Sequence, residues 1–189
     1  MTRLARLSAP LAAPLAAFLG LIVVLAACGT SETPSANAPV APSDTARDAT
    51  FALTIAVDRS IYRAGQPIGV LTTYTYLGHK ATERVFHAAS PVGFRIEEIG
   101  GRRGMEGGMD MPCLSTDVAT GQPVAVAFSK SGAISDEPGV GFDLAWYEDR
   151  VLSLPAGRWR IGATLEAYLD DCGGEAHALD VAVEVLVEP

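Results

Sequence analysis

The chain has 189 residues, of which 49% are hydrophobic and 19% charged, and this is enough for one domain with a sizeable core. Its formal net charge is −8. Nucleic-acid ligands require a basic surface, so the charge predicts no nucleic-acid partner. The same acidity gives no attraction to anionic lipid and is typical of a soluble surface.

A short basic segment and a long apolar run make up the first 27 residues. Arg3 and Arg6 precede the run, which extends from Leu11 to Ala27 and contains no charged residue. A basic head, an apolar stretch and small residues before a cleavage point are typical of a secretory signal peptide. We therefore expect residues 1–27 to be removed on export, which changes the net charge from −8 to −10 because two arginines are lost.

The sequence Leu25-Ala26-Ala27-Cys28 resembles the lipobox of bacterial lipoproteins. In that family the cysteine is lipidated and becomes the first residue of the mature protein. The resemblance implies that Cys28 anchors an exported protein to the bacterial cell membrane, facing the periplasm or the exterior, because several acyl chains together hold a protein stably on a membrane. The alternative is an uncleaved membrane anchor, although the apolar run barely reaches the roughly 20 residues that a span requires.

Two cysteines remain once Cys28 is assigned to lipid. Cys113 and Cys172 would most simply form a disulfide in an oxidising, exported compartment. Such a bridge would stabilise the fold by about 4 kcal/mol in the chain-entropy treatment. Two free thiols or a soft-metal site are the alternatives.

Residues 28–49 are rich in Pro, Ala, Ser and Thr and show no apolar periodicity. Such a composition cannot bury enough surface to offset the entropy of ordering. Scattered prolines keep this kind of chain partly extended. We predict that 28–49 is a disordered tether between the lipid and a domain at 50–189.

From residue 50 the sequence alternates apolar and polar residues with a period of two, which is typical of half-buried strands. No later segment has a convincing helical period. The predicted strands are 51–57, 68–77, 84–87, 92–97, 122–128, 142–146, 150–154, 158–169 and 177–187. The last two flank a short turn and should form a hairpin. The prediction is an all-β, immunoglobulin-like antiparallel β-sandwich of seven to nine strands, with a closed barrel as the alternative.

Three segments resemble turns and strands of secreted bacterial immunoglobulin-like domains. They are 62–65 (YRAG), 90–96 (SPVGFRI) and 154–161 (LPAGRWRI). The domains they resemble include the family named for a Bacillus intracellular proteinase inhibitor. The resemblance covers most of 50–189 and implies the fold, with protease inhibition as one activity that it suggests.

No catalytic set is recognisable in the sequence. The chain has no Gly-x-Ser-x-Gly, Ser-x-x-Lys or His-Glu-x-x-His motif. Cys113 could act as a nucleophile with His79, His87 or His177 as its base, but the disulfide is the favoured interpretation. We predict that the protein is not an enzyme, has no catalytic residues and needs no cofactor.

Two groups of residues suggest metals without predicting one. The thioethers of Met105, Met109 and Met111, close to Cys113, are a ligand type that suits Cu(I), although methionine is also a flexible packing residue. The acidic turn contains Asp170, Asp171 and Glu175, whose oxygens suit Ca²⁺ but whose spacing does not match an EF-hand loop. We predict no metal site.

An anchor, a spacer and a β-sandwich without a catalytic set together suggest a binding protein. The leading hypothesis is a lipid-anchored, non-enzymatic domain that binds an unidentified protein or other partner of the cell envelope or exterior. The loops at 100–113 and 129–141 are the expected contact surface, because binding residues concentrate on loops. A copper-binding envelope protein and a protease inhibitor remain as alternatives.

Overall fold

The computed structural model describes residues 41–108, 112–134, 137 and 140–189. The predicted signal peptide, Cys28, most of the predicted tether, Met109 and Met111 lie outside these residues. The strands that the described residues form are β1 (Ser43–Arg47), β2 (Phe51–Val57), β3 (Ile61–Arg63), β4 (Val70–Tyr76), β5 (Thr82–His87), β6 (Val92–Glu98), β7 (Gly104–Met105), β8 (Leu114–Ala119), β9 (Pro123–Val126), β10 (Gly157–Ala167) and β11 (His177–Glu188). The one helix among them, α1, is Leu144–Glu148, and it is too short to cross a membrane.

The strands form two packed sheets and a two-stranded ribbon. The first sheet has the order β1-β2-β4-β9, the second has the order β3-β11-β10-β6-β7, and the ribbon pairs β5 with β8. All pairs are antiparallel except β3 and β11. With β2-β4-β9 as strands A, B and E, and β6-β10-β11 as C, F and G, the order is that of an immunoglobulin-like sandwich. The predicted all-β sandwich is confirmed, although the described residues form eleven strands rather than seven to nine.

Apolar side chains that alternate along the strands of both sheets build the core between them. In β2 the inward residues are between 0% and 3% exposed, and the residues between them are half-buried. The inward residues of β2 are Phe51, Leu53, Ile55 and Val57, and those of β10 are Trp159, Ile161, Ala163, Leu165 and Ala167. Burial of one large apolar side chain stabilises the fold by roughly 1.5–3 kcal/mol, so the predicted alternation accounts for the main packing of the sandwich.

The hairpin of β10 and β11 forms the centre of the second sheet and defines two ends of the sandwich. Its strands pair from Gly157 opposite Val187 to Ala167 opposite His177, as predicted. The tip end is where β10 ends and β11 begins, and there the ring of His177 meets the edge of Phe51, the first residue of β2, at 5.3 Å between centroids. The base end, where β10 begins, lies about 35 Å away along a twelve-residue strand.

The folded domain begins earlier than predicted. The prediction of a disordered tether over 28–49 is wrong for residues 43–47, which form β1 and pair with the outer edge of β2. Pairing with an existing strand satisfies the backbone without any apolar pattern in β1 itself. The carbonyl of Pro42 accepts from the N–H of Val57 at 3.0 Å. The chain therefore enters the domain at the base end, where β2 finishes.

The predicted strand at 142–146 is wrong, because this segment contains α1. The carboxylate of Asp143 accepts a hydrogen bond from the N–H of Trp146 at 2.9 Å and caps the first turn. The ring of Phe142 stacks on Trp146 at 3.8 Å between centroids. Residues four apart lie on one face of a helical turn, so the spacing of these aromatic residues serves a turn rather than a strand.

The predicted strand at 150–154 also does not form. Leu152 and Leu154 are buried, at 3% and 1% exposure, which is the alternation that suggested a strand. Their carbonyl oxygens accept from the N–H groups of Ile68 and Gly65, at 2.8 and 3.1 Å, in the loop that follows β3. The segment is therefore extended and buried but pairs with a loop.

The glycine-rich segment 100–108 lies against the edge of β6. A Cβ atom on Gly104 would lie 2.9 Å from the carbonyl oxygen of Ile96, and one on Gly107 would lie 2.4 Å from that of Phe94. Only glycine permits such close approach of two backbones. Between them, the side chain of Met105 is 1% exposed and belongs to the core. The segment therefore has a packing role that its composition did not reveal.

We predict that Gly107→Ala destabilises the domain by about 1–3 kcal/mol, because the new methyl group would push the segment away from β6. The matched control is Gly108→Ala, where a Cβ would meet nothing within 4 Å and the expected change is within about 0.5 kcal/mol. Urea unfolding of both variants measures the difference. Equal midpoints would show that the close approach is not a constraint.

Candidate functional site

The two loops that were expected to form a contact surface do meet. The guanidinium of Arg102 donates to a carboxylate oxygen of Glu137 at 2.9 Å, and a Cβ on Gly132 would lie 2.7 Å from the carbonyl oxygen of Glu106. The ion pair is largely exposed and contributes only about 0–1 kcal/mol. The two loops are therefore joined by a weak ion pair and also pass close to each other just after β7.

A cation–aromatic stack supports these loops from below. In order, it consists of Arg103, Trp159, Phe142, Trp146 and Lys130. Arg103 lies 5.0 Å from the centroid of Trp159, and Lys130 lies 4.1 Å from that of Trp146. A cation over an aromatic face contributes about 0.5–2 kcal/mol, depending on its exposure. The stack connects the core, through the fully buried Trp159, to the loop that carries α1.

Lys130 closes the outer end of the stack. Its Nζ donates to the carbonyl oxygens of Trp146, at 2.6 Å, and Asp149, at 2.7 Å. Burial lowers the pKa of the Lys130 amine, because a low-dielectric site disfavours the charged form. The two carbonyl oxygens and the ring face compensate part of this penalty, so Lys130 acts as a structural clamp on the end of α1.

Glu98 and Arg103 form the inner end. Nε of Arg103 donates to Glu98 at 2.8 Å, a second guanidinium nitrogen contacts the other carboxylate oxygen, and Nη2 also donates to the carbonyl of Ala156 at 3.1 Å. Hydrogen bonding by Arg103 lowers the pKa of the Glu98 carboxyl below its ordinary value of 4.5. The pair is only 16% and 25% exposed, and it holds the turn after β6 against the start of β10.

An open cleft of about 340 Å³ lies on the outer face of the second sheet, near the tip end. Its lining residues are Gly93, Phe94, Arg95, Glu106, Gly107, Thr164 and Glu166. The floor of the cleft lies close to the sheet because Gly93 of β6, which has no side chain, is opposite Thr164 of β10. One guanidinium, two carboxylates and a hydroxyl surround this floor, so the cleft offers hydrogen-bond donors and acceptors to a polar ligand.

The side chain of Arg95 lies across β10. It reaches over Gly162, where a Cβ would lie 2.8 Å from its side chain, and its guanidinium is 3.5 Å from Asp180 of β11. The hydroxyl of Thr164 donates to the same carboxylate at 2.6 Å. This network orients two of the cleft's polar groups before any ligand arrives.

The disulfide fastens the chain just before β8 to the hairpin tip. Cys113 and Cys172 are bonded, with 2.20 Å between the sulfur atoms, and their Cα atoms are 5.7 Å apart. Cys113 therefore has no free thiol that could act as a nucleophile with a histidine base. The bridge joins the start of β8 to the acidic turn that follows β10.

The histidines have structural partners or face solvent. Nδ1 of His87 donates to the carbonyl of Ala88 at 2.7 Å, and its Nε2 lies 2.9 Å from the hydroxyl of Thr116. His177 lies 3.0 Å from Asp48. Burial acts to raise the pKa of Asp48, but hydrogen bonds from the backbone and from His177 outweigh it, so this pKa is lowered. His79 is exposed.

The residues considered for metals do not converge in the described part of the chain. No group of three or more His, Cys, Asp or Glu residues there is arranged to hold an ion. Met105 is in the core, while Met109 and Met111 lie outside the described residues. In the acidic turn, the carboxylate of Asp171 accepts from the N–H of Gly173 at 2.8 Å, which gives it a role in closing the turn.

The cleft was not predicted from the sequence, although the strand positions of two of its residues were. Arg95 and Thr164 occupy outward positions of strands whose apolar alternation was recognised. The pairing of β6 with β10, which makes them neighbours, cannot be read from either strand alone. The position of Glu106 depends on the segment 100–108, for which no structure was predicted.

No protein-family model, curated protein or solved structure matches this chain.

We predict that Glu98→Gln lowers the free energy of unfolding by about 1–2 kcal/mol at pH 7, because it replaces a charge-assisted pair in a partly buried site. A carboxyl with a lowered pKa stabilises the fold above pH 4.5 and loses this effect as the pH falls through the lowered value. The difference in the free energy of unfolding between wild type and variant should therefore become smaller at acidic pH.

The control is Glu97→Gln, the same change on the neighbouring side chain, which is 63% exposed and 3.6 Å from Arg160. Its expected effect is within about 0.5 kcal/mol at any pH. Chemical unfolding between pH 3 and pH 7 measures both variants. A gap for Glu98→Gln that does not change with pH would contradict the assignment.

Proposed function

We propose that the protein is a lipid-anchored, non-enzymatic binding module of the bacterial cell envelope, exported and held to the membrane through Cys28. Its sandwich domain binds a protein or other envelope partner through the cleft and the adjoining loops. The observation that carries this proposal is the position of the cleft relative to the entry of the chain.

The chain enters at the base end, where the carbonyl of Pro42 bonds to Val57. The cleft lies towards the opposite end, where β6 and β10 bring Gly93 and Thr164 together. A tether of the residues between Cys28 and Ser43, attached at the base end, would leave the tip end free to point away from the membrane. An anchor at one end of the domain and a cleft towards the other favour the display of a contact surface.

The groups around the cleft suit recognition of a polar surface. Arg95 and Thr164 are held by Asp180, while Glu166 accepts from the hydroxyl of Tyr168. Side chains that are already oriented lose less entropy on binding, which favours affinity. The neighbouring loops add a rim that is mostly polar, as protein interfaces commonly have.

The anchoring part of the proposal predicts that Cys28→Ser abolishes incorporation of a radiolabelled fatty acid and moves the protein out of the lipid-modified membrane pool. The matched control is Cys172→Ser, which removes a different cysteine and should still incorporate label. Labelling of producing cells followed by fractionation gives both results. Fatty-acid label on the Cys28→Ser variant would refute lipidation at this residue.

The binding part predicts that a photo-activatable residue in the cleft captures a partner in producing cells. We expect a crosslinked adduct when it replaces Thr164, and none when it replaces Thr54, which is also half-buried and outward-facing but lies on the opposite sheet. Gel shift after irradiation shows the adduct. Equal adducts at both positions, or none at Thr164, would count against the cleft as the contact surface.

A further inference from the structure

The ribbon of β5 and β8 has one edge that the sandwich covers and one that it leaves open. Phe86 of β5 exchanges two backbone hydrogen bonds with Tyr168, each of 2.9 Å. Within the described residues, β8 has no strand neighbour except β5. Among the described residues, the far edge of β8 is therefore a row of backbone groups without a strand partner, and such an edge is a template for pairing with another chain.

The alternation of hydrogen bonds in antiparallel strands shows which groups face outwards. Because the N–H and C=O of Phe86 point to Tyr168, Phe86 and its partner Ser115 form a non-hydrogen-bonded pair. The next residue, Thr116, then directs its backbone groups to β5. Ser115 and Asp117 flank it and direct theirs away from β5, to the open edge.

Two outward N–H groups of other strands are capped by carboxylates. The N–H of Ala182 in β11 donates to Asp44 at 2.9 Å, and that of Arg84 in β5 donates to Glu83 at 3.2 Å. Among the described residues, no acceptor meets the N–H of Ser115 or of Asp117. The protein thus caps outward amides on two strands and leaves those of β8 available.

β8 is also better suited to a partner strand than the edge strand β9. It has six residues, about 20 Å of chain, and all except Val118 are exposed. At its start, Leu114 is a 46% exposed apolar side chain. By comparison, β9 is shorter and begins with Pro123, which has no N–H to offer.

The charges around β8 indicate the chemistry of the strand it would accept. In its middle, Asp117 is neutralised by Arg84 at 3.0 Å. At its start, the disulfide brings in the acidic turn of the hairpin tip. The acidic residues of this turn are Asp170, Asp171 and Glu175. A basic side chain beside Leu114 would be attracted there, whereas a second copy of this acidic chain would be repelled.

We propose that β8 binds an extended segment of a partner protein as an added strand, through the backbone groups of Ser115 and Asp117, and that this segment carries a basic side chain beside the acidic turn. The inference rests on the proposed function, a binding module, and adds a mode of recognition at β8 and the chemistry of the partner. In strand addition the main-chain hydrogen bonds supply affinity, and side-chain contacts supply specificity.

The test uses the mature, lipidated protein in nanodiscs and a phage-displayed library of random twelve-residue peptides. We expect enrichment of basic peptides that lack proline at their centre. Ser115→Pro removes one outward N–H without removing a β5–β8 hydrogen bond, and should weaken binding of a selected synthetic peptide by about tenfold. Ser115→Ala keeps the N–H and should bind as the wild type does.

A measurement on the unmodified protein covers the case in which the proline variant is unstable. Peptide binding should slow hydrogen exchange at the amides of Ser115 and Asp117, and should leave that of Thr116, already bonded to β5, unchanged. The proposal is overturned if no peptide is enriched, if acidic peptides are enriched, or if these amides exchange as before. A wild-type dimer that Ser115→Pro converts to a monomer would assign the edge to a second copy and also overturn it.

Failure of this inference is distinguishable from failure of the proposed function. A crosslinked adduct at Thr164 together with no enriched peptide would remove strand addition and keep the binding module. Peptide binding at β8 without any adduct at Thr164 would retain strand addition and remove the cleft as the contact surface.

Discussion

Both the core and the candidate site depend on the packing of the buried side chain of Trp159. Its side chain is fully buried between the sheets, and its Nε1 donates to the carbonyl of Pro155 at 2.9 Å, which satisfies the one polar atom of the ring. Phe142 and Arg103 lie on the same ring. Core packing and loop position therefore share one residue, and a change in the core at this point is transmitted to the loops.

The sequence pattern predicted the strands whose inner face is apolar and failed where that pattern has another cause. β2, β4, β10 and β11 alternate clearly, and each lies within two or three residues of its prediction. β8 was not predicted because Val118 is its only buried residue. A strand with one buried residue has no alternation of apolar and polar residues in its sequence. At 142–154 the regularly spaced apolar residues do pack into the protein, but they belong to a helical turn and to a buried loop instead of two strands.

The candidate site was less accessible to prediction than the fold, for a physical reason. A cleft on the outside of a sheet is made by residues that neighbouring strands place side by side, as with Arg95 of β6, Gly162 of β10 and Asp180 of β11. Each is an ordinary outward residue in its own strand. Only the register shows that Arg95 crosses β10 at Gly162. The Cys113–Cys172 bridge, in contrast, could be predicted from the cysteine count alone, because two of the three cysteines remain when Cys28 is set aside.

An open strand edge has to be reconciled with solubility. Exposed edges invite pairing between copies, and proteins usually block them with charge, proline or a covering segment. Here β11 and β5 are blocked by Asp44 and Glu83, while β8 has only Asp117, whose charge is matched by Arg84. The acidity of the whole chain, a formal net charge of −8, opposes the approach of a second copy to any edge. It does not oppose a basic partner, so general repulsion can protect β8 against self-association without closing it to the segment that its geometry suits.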